Sequence, residues 1–137
     1  MTTSTLETKL ARALLVIRLS IAAFLMVWVA DKFLVPDHAQ RVFENFYLSS
    51  PSSGLLLAIA LAQLLLVLAF AAGVFKTYSY GAVLLMHAAS TAASWKILIN
   101  PLAVPNILFV AAIPVLGAMI ALFLMREHDT LWTIKRG

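Results

Sequence analysis

The hydrophobic and polar positions of the chain divide it into long apolar stretches separated by short polar segments. The apolar stretches predict four membrane-spanning helices, over residues 13–34, 55–73, 79–98 and 106–125. Each has about 20 residues, the length that a helix needs to cross the hydrocarbon core of a bilayer. We therefore predict a single membrane domain, residues 1–137, with an all-α fold: an integral membrane four-helix bundle.

The first apolar stretch carries charge near both ends, with Arg18 on one side and Asp31 and Lys32 on the other. Roughly 21 Å of helix separates Arg18 from Lys32, which is less than the ~30 Å hydrocarbon core. Each cation must therefore reach toward the head groups or find a partner inside the bundle. For Arg18 we weigh snorkelling to cytoplasmic phosphates, favoured by its closeness to the helix start, against an anionic ligand or a neighbouring subunit. Asp31 and Lys32 can form a local salt bridge at the outer rim.

Residues 37–48 form an amphipathic pattern, with apolar side chains on one helical face and polar ones on the other. Asp37 followed by Gln40 resembles a capping box, and Asp37 can also pair with Arg41 one turn on. We predict a short interfacial helix between helices 1 and 2 that covers the end of the bundle. A docking site for a partner is the alternative.

The second apolar stretch has a stripe of small residues and one strongly polar side chain, Gln63. Small residues at this spacing allow close helix packing, and their positions are Ala58, Ala62, Ala69 and Gly73.

The third stretch carries the most informative pattern, a polar stripe on an otherwise apolar helix. Its members share one helical face: Tyr80, His87, Ser90, Thr91 and Ser94. Because polar groups are costly in lipid, the stripe should face the bundle interior. Candidate partners and walls of an internal site are Gln63, Arg18, Asp31, Trp28 and Trp95.

Two interpretations of His87 stay open. In the first, the ring hydrogen-bonds a quinone carbonyl or relays a proton, because imidazole titrates near neutrality. In the second, the polar side chains only bond across helices, each pair contributing ~0.6 kcal/mol. A metal site is not expected, because His38 and His128 fall on opposite predicted faces of the membrane.

The fourth stretch has Asn106 as its expected cap and Pro114 as an expected kink. Asn100-Pro101 and Pro105-Asn106 bracket the loop before it. In the polar tail that follows, we expect Trp132 and Ile134 to rest on the membrane interface.

Composition agrees with lipid as the solvent: 63% of the residues are hydrophobic and only 12% are charged. The net charge of +4 is interpreted through the distribution of lysines and arginines among the loops, which sets the membrane topology. The sequence contains no basic run that would indicate nucleic-acid binding. Lysines and arginines are more numerous on the side of the termini, so we predict both termini in the cytoplasm, with a bacterial inner membrane as the location. The chain has no cysteine, so disulfides and thiol chemistry within it are excluded.

The first stretch resembles the first span of the DoxX-like membrane proteins. The pattern R-L-x(4)-F-L-x(6)-K-F followed by L-x-P is carried by Arg18, Leu19, Phe24, Leu25, Lys32, Phe33, Leu34 and Pro36. The chain has Val29 where a glycine is usual in that family. The resemblance implies a four-helix membrane bundle. Some members belong to membrane redox systems, including a thiosulfate:quinone oxidoreductase, and others are accessory or assembly factors.

The leading functional hypothesis is a small accessory subunit of a redox or quinone-linked membrane complex. A quinone-binding, oxidoreductase-like protein with a site around His87 is the second, with quinone as the cofactor, and a small transporter or channel is the third. The bilayer, a larger complex and a homo-oligomer are the expected partners. Whether the chain is an enzyme stays open.

Overall fold

The computed structural model of the chain describes residues 2–103 and 106–135. All regular structure in these residues is helical. The α-helices are α1 (Thr3–Leu34), α2 (Pro36–Tyr47), α3 (Ser53–Ala71), α4 (Lys76–Ala93), α5 (Trp95–Leu98) and α6 (Ala112–Leu124). Short 3-10 helices cover Asn106–Ala111 and Arg126–His128.

Three helical segments are long and apolar enough to cross a membrane: Thr3–Leu34, Ser53–Ala71 and Asn106–Leu124. The segment predicted over residues 79–98 does not qualify, because its polar stripe lowers its hydropathy and the helix is shorter than expected. Helix α4 ends at Ala93, and Ser94 leaves helical geometry with φ −87° and ψ 11° before α5 begins. The all-helical prediction is confirmed, with three membrane-capable segments rather than four.

The four longest helices pack side by side around a common core. Helix α1 contacts α3 and α6, and α4 contacts the same two neighbours from the other side. Their core side chains form one cluster: Leu14, Ile21, Ala22, Leu25, Val29, Val67, Phe70, Tyr80, Val83, Met119 and Leu122. Burial of these apolar groups is the main force that holds the helices together in water, and close packing holds them in lipid.

Two of the four small residues predicted to line a helix contact on α3 are exposed. Ala58 and Ala62 are exposed, while Leu56, Ala60 and Val67 face the core instead. The stripe is therefore not the main contact between helices of this chain.

Helix α2 lies across one end of the packed helices, which we call the α2 end. It follows α1 after a single non-helical residue, Val35, and Pro36 occupies its first turn, where no amide hydrogen is needed. The predicted capping box is wrong, because Val35 caps the helix and no side chain bonds to its first amides. Leu48 ends α2 in the left-handed conformation, with φ 51°.

A kink at Pro114 stays a prediction. Pro114 is the third residue of α6, and the backbone changes from 3-10 helix to α-helix two residues before it. The 3-10 helix Asn106–Ala111 precedes it, and the Asn106 side chain donates to the Asn100 carbonyl at 3.1 Å. Pro105, predicted to bracket this loop, lies outside the described residues.

The segment 126–135, which we call the strap, turns back over the opposite end of the helices. The amide of Ile134 donates to the carbonyl of Ala72 at 3.0 Å. Asp129 is completely buried, whereas Trp132 is 77% exposed. The tail predicted to rest on a membrane interface is therefore anchored to the protein itself by its backbone and by one carboxylate.

The strap needs a glycine beneath it, because Gly73 has a φ of +63° and a Cβ there would lie 2.6 Å from Cγ2 of Thr133. We predict that Gly73→Ala lowers the free energy of unfolding by about 2 kcal/mol, through left-handed strain and displacement of the strap. Gly117→Ala is the matched control, because a Cβ at that helical position meets nothing within 4 Å. Denaturant titration of both variants in detergent would contradict the packing if they were equally stable.

Candidate functional site

A cavity of about 380 Å³ lies at the α2 end, between α1 and α4 and under α2. Its apolar wall comes from every element that meets there. These residues are Phe24, Leu25 and Val29 of α1, Ala39, Val42, Phe43, Phe46 and Tyr47 of α2, Met86 of α4, and Leu108, Phe109, Ala111 and Ala112 before and in α6. The predicted helix over residues 37–48 is present as α2, and its apolar face lines this cavity.

Most of the site residues expected from the sequence meet at this cavity. Trp28, Asp31, Gln63, His87, Ser90, Thr91 and Ser94 all line it, together with Lys32. They meet because positions separated by three, four and seven residues share a face of α4, and that face is opposed by α1. Trp95 does not line the cavity: it is 54% exposed, with the Lys96 ammonium 5.7 Å from its ring centroid.

His87 joins two helices and also faces the cavity. Its Nε2 lies 3.0 Å from the carbonyl oxygen of Ala112, on the first residue of α6. The ring also packs edge-on against Phe24, with centroids 5.9 Å apart. The predicted bond across helices is thus confirmed, and it holds the ring in one orientation at the cavity wall.

The remaining polar groups of the cavity differ in whether the protein already satisfies them. The hydroxyls of Thr91 and Ser94 donate to carbonyls one turn earlier in their own helix, at 2.8 and 3.0 Å. Within the described residues, the Gln63 amide, the Ser90 hydroxyl and the Trp28 indole N–H have no hydrogen-bond partner. The wall of the cavity is therefore mainly apolar, and a few polar groups on it are available to hydrogen-bond a ligand.

A hydrogen bond between side chains ties α2 to α1 beside the cavity. Nδ1 of His38 lies 2.8 and 2.9 Å from the two carboxylate oxygens of Asp31. The local pair predicted between Asp31 and Lys32 is replaced by this contact, since the Lys32 ammonium donates to the Trp28 carbonyl at 3.0 Å. Asp31 thus positions the cover helix in addition to lining the cavity.

Arg18 is a predicted site residue that lies far from the cavity, at the strap. Its Nη1 donates to Oδ2 of Asp129 at 2.6 Å, and both side chains are completely buried. Its Nη2 donates to the backbone carbonyls of Leu131 and Trp132 at 2.7 and 3.2 Å. The preferred expectation that Arg18 snorkels to phosphates is therefore wrong, and the ion pair lies within the chain rather than across a subunit contact.

Tyr80 and Lys76 complete this second cluster. The Tyr80 hydroxyl donates to Oδ2 of Asp129 at 2.6 Å and lies 3.2 Å from the Arg18 guanidinium. The Lys76 ammonium donates to the Asp129 carbonyl. The predicted polar stripe of α4 is thus divided, with Tyr80 at the strap and His87 at the cavity.

Sequence reasoning missed Asp129 and Lys76. Asp129 lies in a charged tail, and its partner Arg18 is 111 positions away along the chain. The only available signal was Arg18 itself, an arginine within an apolar helix that had to find an anion.

Comparisons with protein families, with curated proteins and with solved structures found no match to this chain. The resemblance to the DoxX-like proteins therefore depends on the sequence patterns alone: the quoted residues 18–36, the aromatic-rich helix that follows, and the apolar span that ends in Gly73.

The contact with Ala112 predicts the tautomer of His87. A carbonyl oxygen can only accept, so Nε2 carries the proton, and in the neutral ring Nδ1 is left as an acceptor. In a sample with ¹⁵N-labelled histidine, we expect the Nδ1 resonance of His87 at the position of an unprotonated ring nitrogen. A protonated Nδ1 beside an unprotonated Nε2 would contradict the contact, and the resonance is assigned by its loss in His87→Gln.

Proposed function

We propose that the chain is an integral membrane protein of a bacterial inner membrane, with α1, α3, α4 and the 106–124 segment as four spans. Tyr80 and His87 of the α4 stripe are buried and bond to other parts of the chain, which lowers the free-energy cost of placing α4 in a bilayer. Lysines and arginines are more numerous on the strap side, which supports cytoplasmic termini. Among the described residues, the strap side carries Lys9, Arg12, Lys76, Arg126 and Lys135, and the α2 side carries Lys32, Arg41 and Lys96.

In this setting, the function that we propose is the binding of a lipid-soluble ring compound of the quinone class in the cavity at the α2 end. One observation carries the proposal: an apolar cavity of about 380 Å³ contains polar groups that have no partner among the described residues. Pockets of roughly 300–1,000 Å³ with few convergent polar groups are typical small-molecule sites. Gln63 is partly buried and Ser90 and Trp28 are exposed, so these polar groups are accessible for hydrogen bonds to a ligand.

The shape of the wall favours a flat ring. Phe46 of α2 and Phe109 lie against each other with centroids 5.8 Å apart, and Phe24 and Trp28 supply further aromatic surface from α1. Aromatic faces and edges pack well against a planar ring. Because α2 is amphipathic and lies at the end of the helices, a ligand with an apolar tail can enter from the membrane interface.

An accessory subunit of a larger redox or quinone-linked membrane complex is the second candidate, and it agrees with the DoxX-like resemblance. The exposed small residues Ala58 and Ala62 on α3 favour it, since such residues allow another helix to approach closely. The two functions are compatible, because a ligand-binding subunit can also be an accessory one. A homo-oligomer would use the same surface.

A small transporter or channel is less well supported. Proton-coupled transport requires a carboxylate that can change its protonation inside the protein. Among the described residues the completely buried carboxylate is Asp129, and it is already paired with Arg18.

The proposal predicts that protein purified in mild detergent retains a ring compound from the membrane, identified by mass spectrometry of the extracted lipids. Filling the cavity with Ser90→Trp should reduce the retained compound at least tenfold, because an indole takes the volume of the ring. Ser20→Trp is the matched control, since Ser20 is exposed on α1 and its hydroxyl donates to its own helix at 2.9 Å. Equal retention by both variants, or no retained compound in the wild-type protein even after addition of quinone, would overturn the proposal.

A further inference from the structure

The hydrogen bond between His87 and Ala112 determines which ring nitrogen of His87 is an acceptor. Because the carbonyl oxygen of Ala112 can only accept, the bond at 3.0 Å requires the proton of the His87 ring on Nε2. In a neutral imidazole the second nitrogen then has a free lone pair. No described residue donates to Nδ1, and the side chain lines the cavity. His87 therefore presents an acceptor to the cavity.

We infer that the cavity recognises its ring compound through a ring hydroxyl that donates to Nδ1 of His87, and so prefers the quinol or phenol form to the quinone form. This inference rests on the proposed ring-binding function and specifies the chemical class of the ligand. A quinone carbonyl at the same place would face the lone pair of Nδ1 with its own lone pair and no proton between them. That arrangement leaves a buried acceptor unsatisfied on each side.

The other cavity groups do not reverse this preference. The Gln63 amide both donates and accepts, and the Ser90 hydroxyl does the same, so each can serve either form of the ligand. Trp28 offers only a donor, which a carbonyl oxygen accepts better than a phenolic hydroxyl does, so its contribution opposes the preference set by His87 without supplying an acceptor for a hydroxyl. Discrimination between hydroxyl and carbonyl thus belongs to His87, whose ring is held by Ala112 and by the edge contact with Phe24.

Calorimetric titration of the full chain in detergent, without oxygen, tests this directly. The probes are a decyl-substituted benzoquinone and the corresponding benzoquinol, and a second pair that cannot be oxidised, an alkylphenol and its methyl ether. We expect each hydroxyl compound to bind about tenfold more tightly than its partner. The hydroxyl donates a hydrogen bond to Nδ1, whereas the carbonyl or ether oxygen places a second acceptor opposite it. A ring protonated on both nitrogens would donate from Nδ1, so the titrations use mildly alkaline buffer.

His87→Gln separates the ligand-facing nitrogen from the structural one. The amide nitrogen of glutamine can replace Nε2 and still donate to Ala112, while its acceptor Oε1 then lies away from the position of Nδ1. We expect this variant to keep its thermal midpoint and to bind both members of each pair within about twofold of one another. Ser20→Ala, outside the cavity, should keep the full preference of the wild-type protein.

The outcomes distinguish this inference from the function on which it rests. If the quinone and the ether bind as tightly as the hydroxyl compounds, or more tightly, the inference is wrong while ring binding stands. A preference that persists undiminished in His87→Gln also overturns the inference, because another group must then accept the hydroxyl. If none of the four probes binds the wild-type protein, both the ring-binding function and the inference fail. The wild-type comparison needs no variant, so a misfolded His87→Gln would leave it decisive.

Discussion

The structure depends on the pairing of Arg18 with Asp129 in the interior. A guanidinium inside an apolar helix cannot be left without a counter-charge, because the desolvation cost of a lone buried ion is several kcal/mol. Arg18 obtains its carboxylate from the far end of the chain, and this requires the strap to fold back over α3 and α4. The carbonyls of Leu131 and Trp132 take further hydrogens of the same guanidinium. One charge thus organises the last ten residues of the described chain.

The same constraint explains why the polar side chains lie in two separate places. The hydroxyl of Tyr80 joins the ion pair at the strap, whereas His87, two helical turns along α4, lies at the cavity beneath α2. At the strap most of the polar groups bond to one another, although Nε of Arg18 and Oδ1 of Asp129 are buried without a hydrogen-bond partner among the described residues. At the cavity His87 is satisfied on one nitrogen only, and Gln63 has no partner among the described residues. The strap cluster therefore holds the fold together, and the α2 end is where we propose that a ligand binds.

Much of this was predictable where the signal is periodic and local. Helical spacing placed His87, Ser90, Thr91 and Ser94 on one face, and the amphipathic pattern of residues 37–48 identified the cover helix. Predictions failed where a contact spans the whole chain or where the backbone departs from helix. Nothing in the tail marks Asp129 as buried, because its environment is created by Arg18, 111 positions earlier. Helix α4 ends before Ser94, and Pro114 lies in the first turn of α6. Both boundaries depend on how the neighbouring segments pack, and the spacing of apolar residues carries no information about that packing.

The most direct test of this account is a double-mutant cycle on the ion pair, read as free energies of unfolding in detergent. Arg18→Met and Asp129→Leu should each cost about 3–5 kcal/mol, because each leaves one charge buried without its partner. The double variant should cost clearly less than the sum of the two, since it removes both charges together and leaves no uncompensated ion. Additive losses, or single losses within about 0.5 kcal/mol of zero as at surface sites, would contradict the claim that this pair organises the protein.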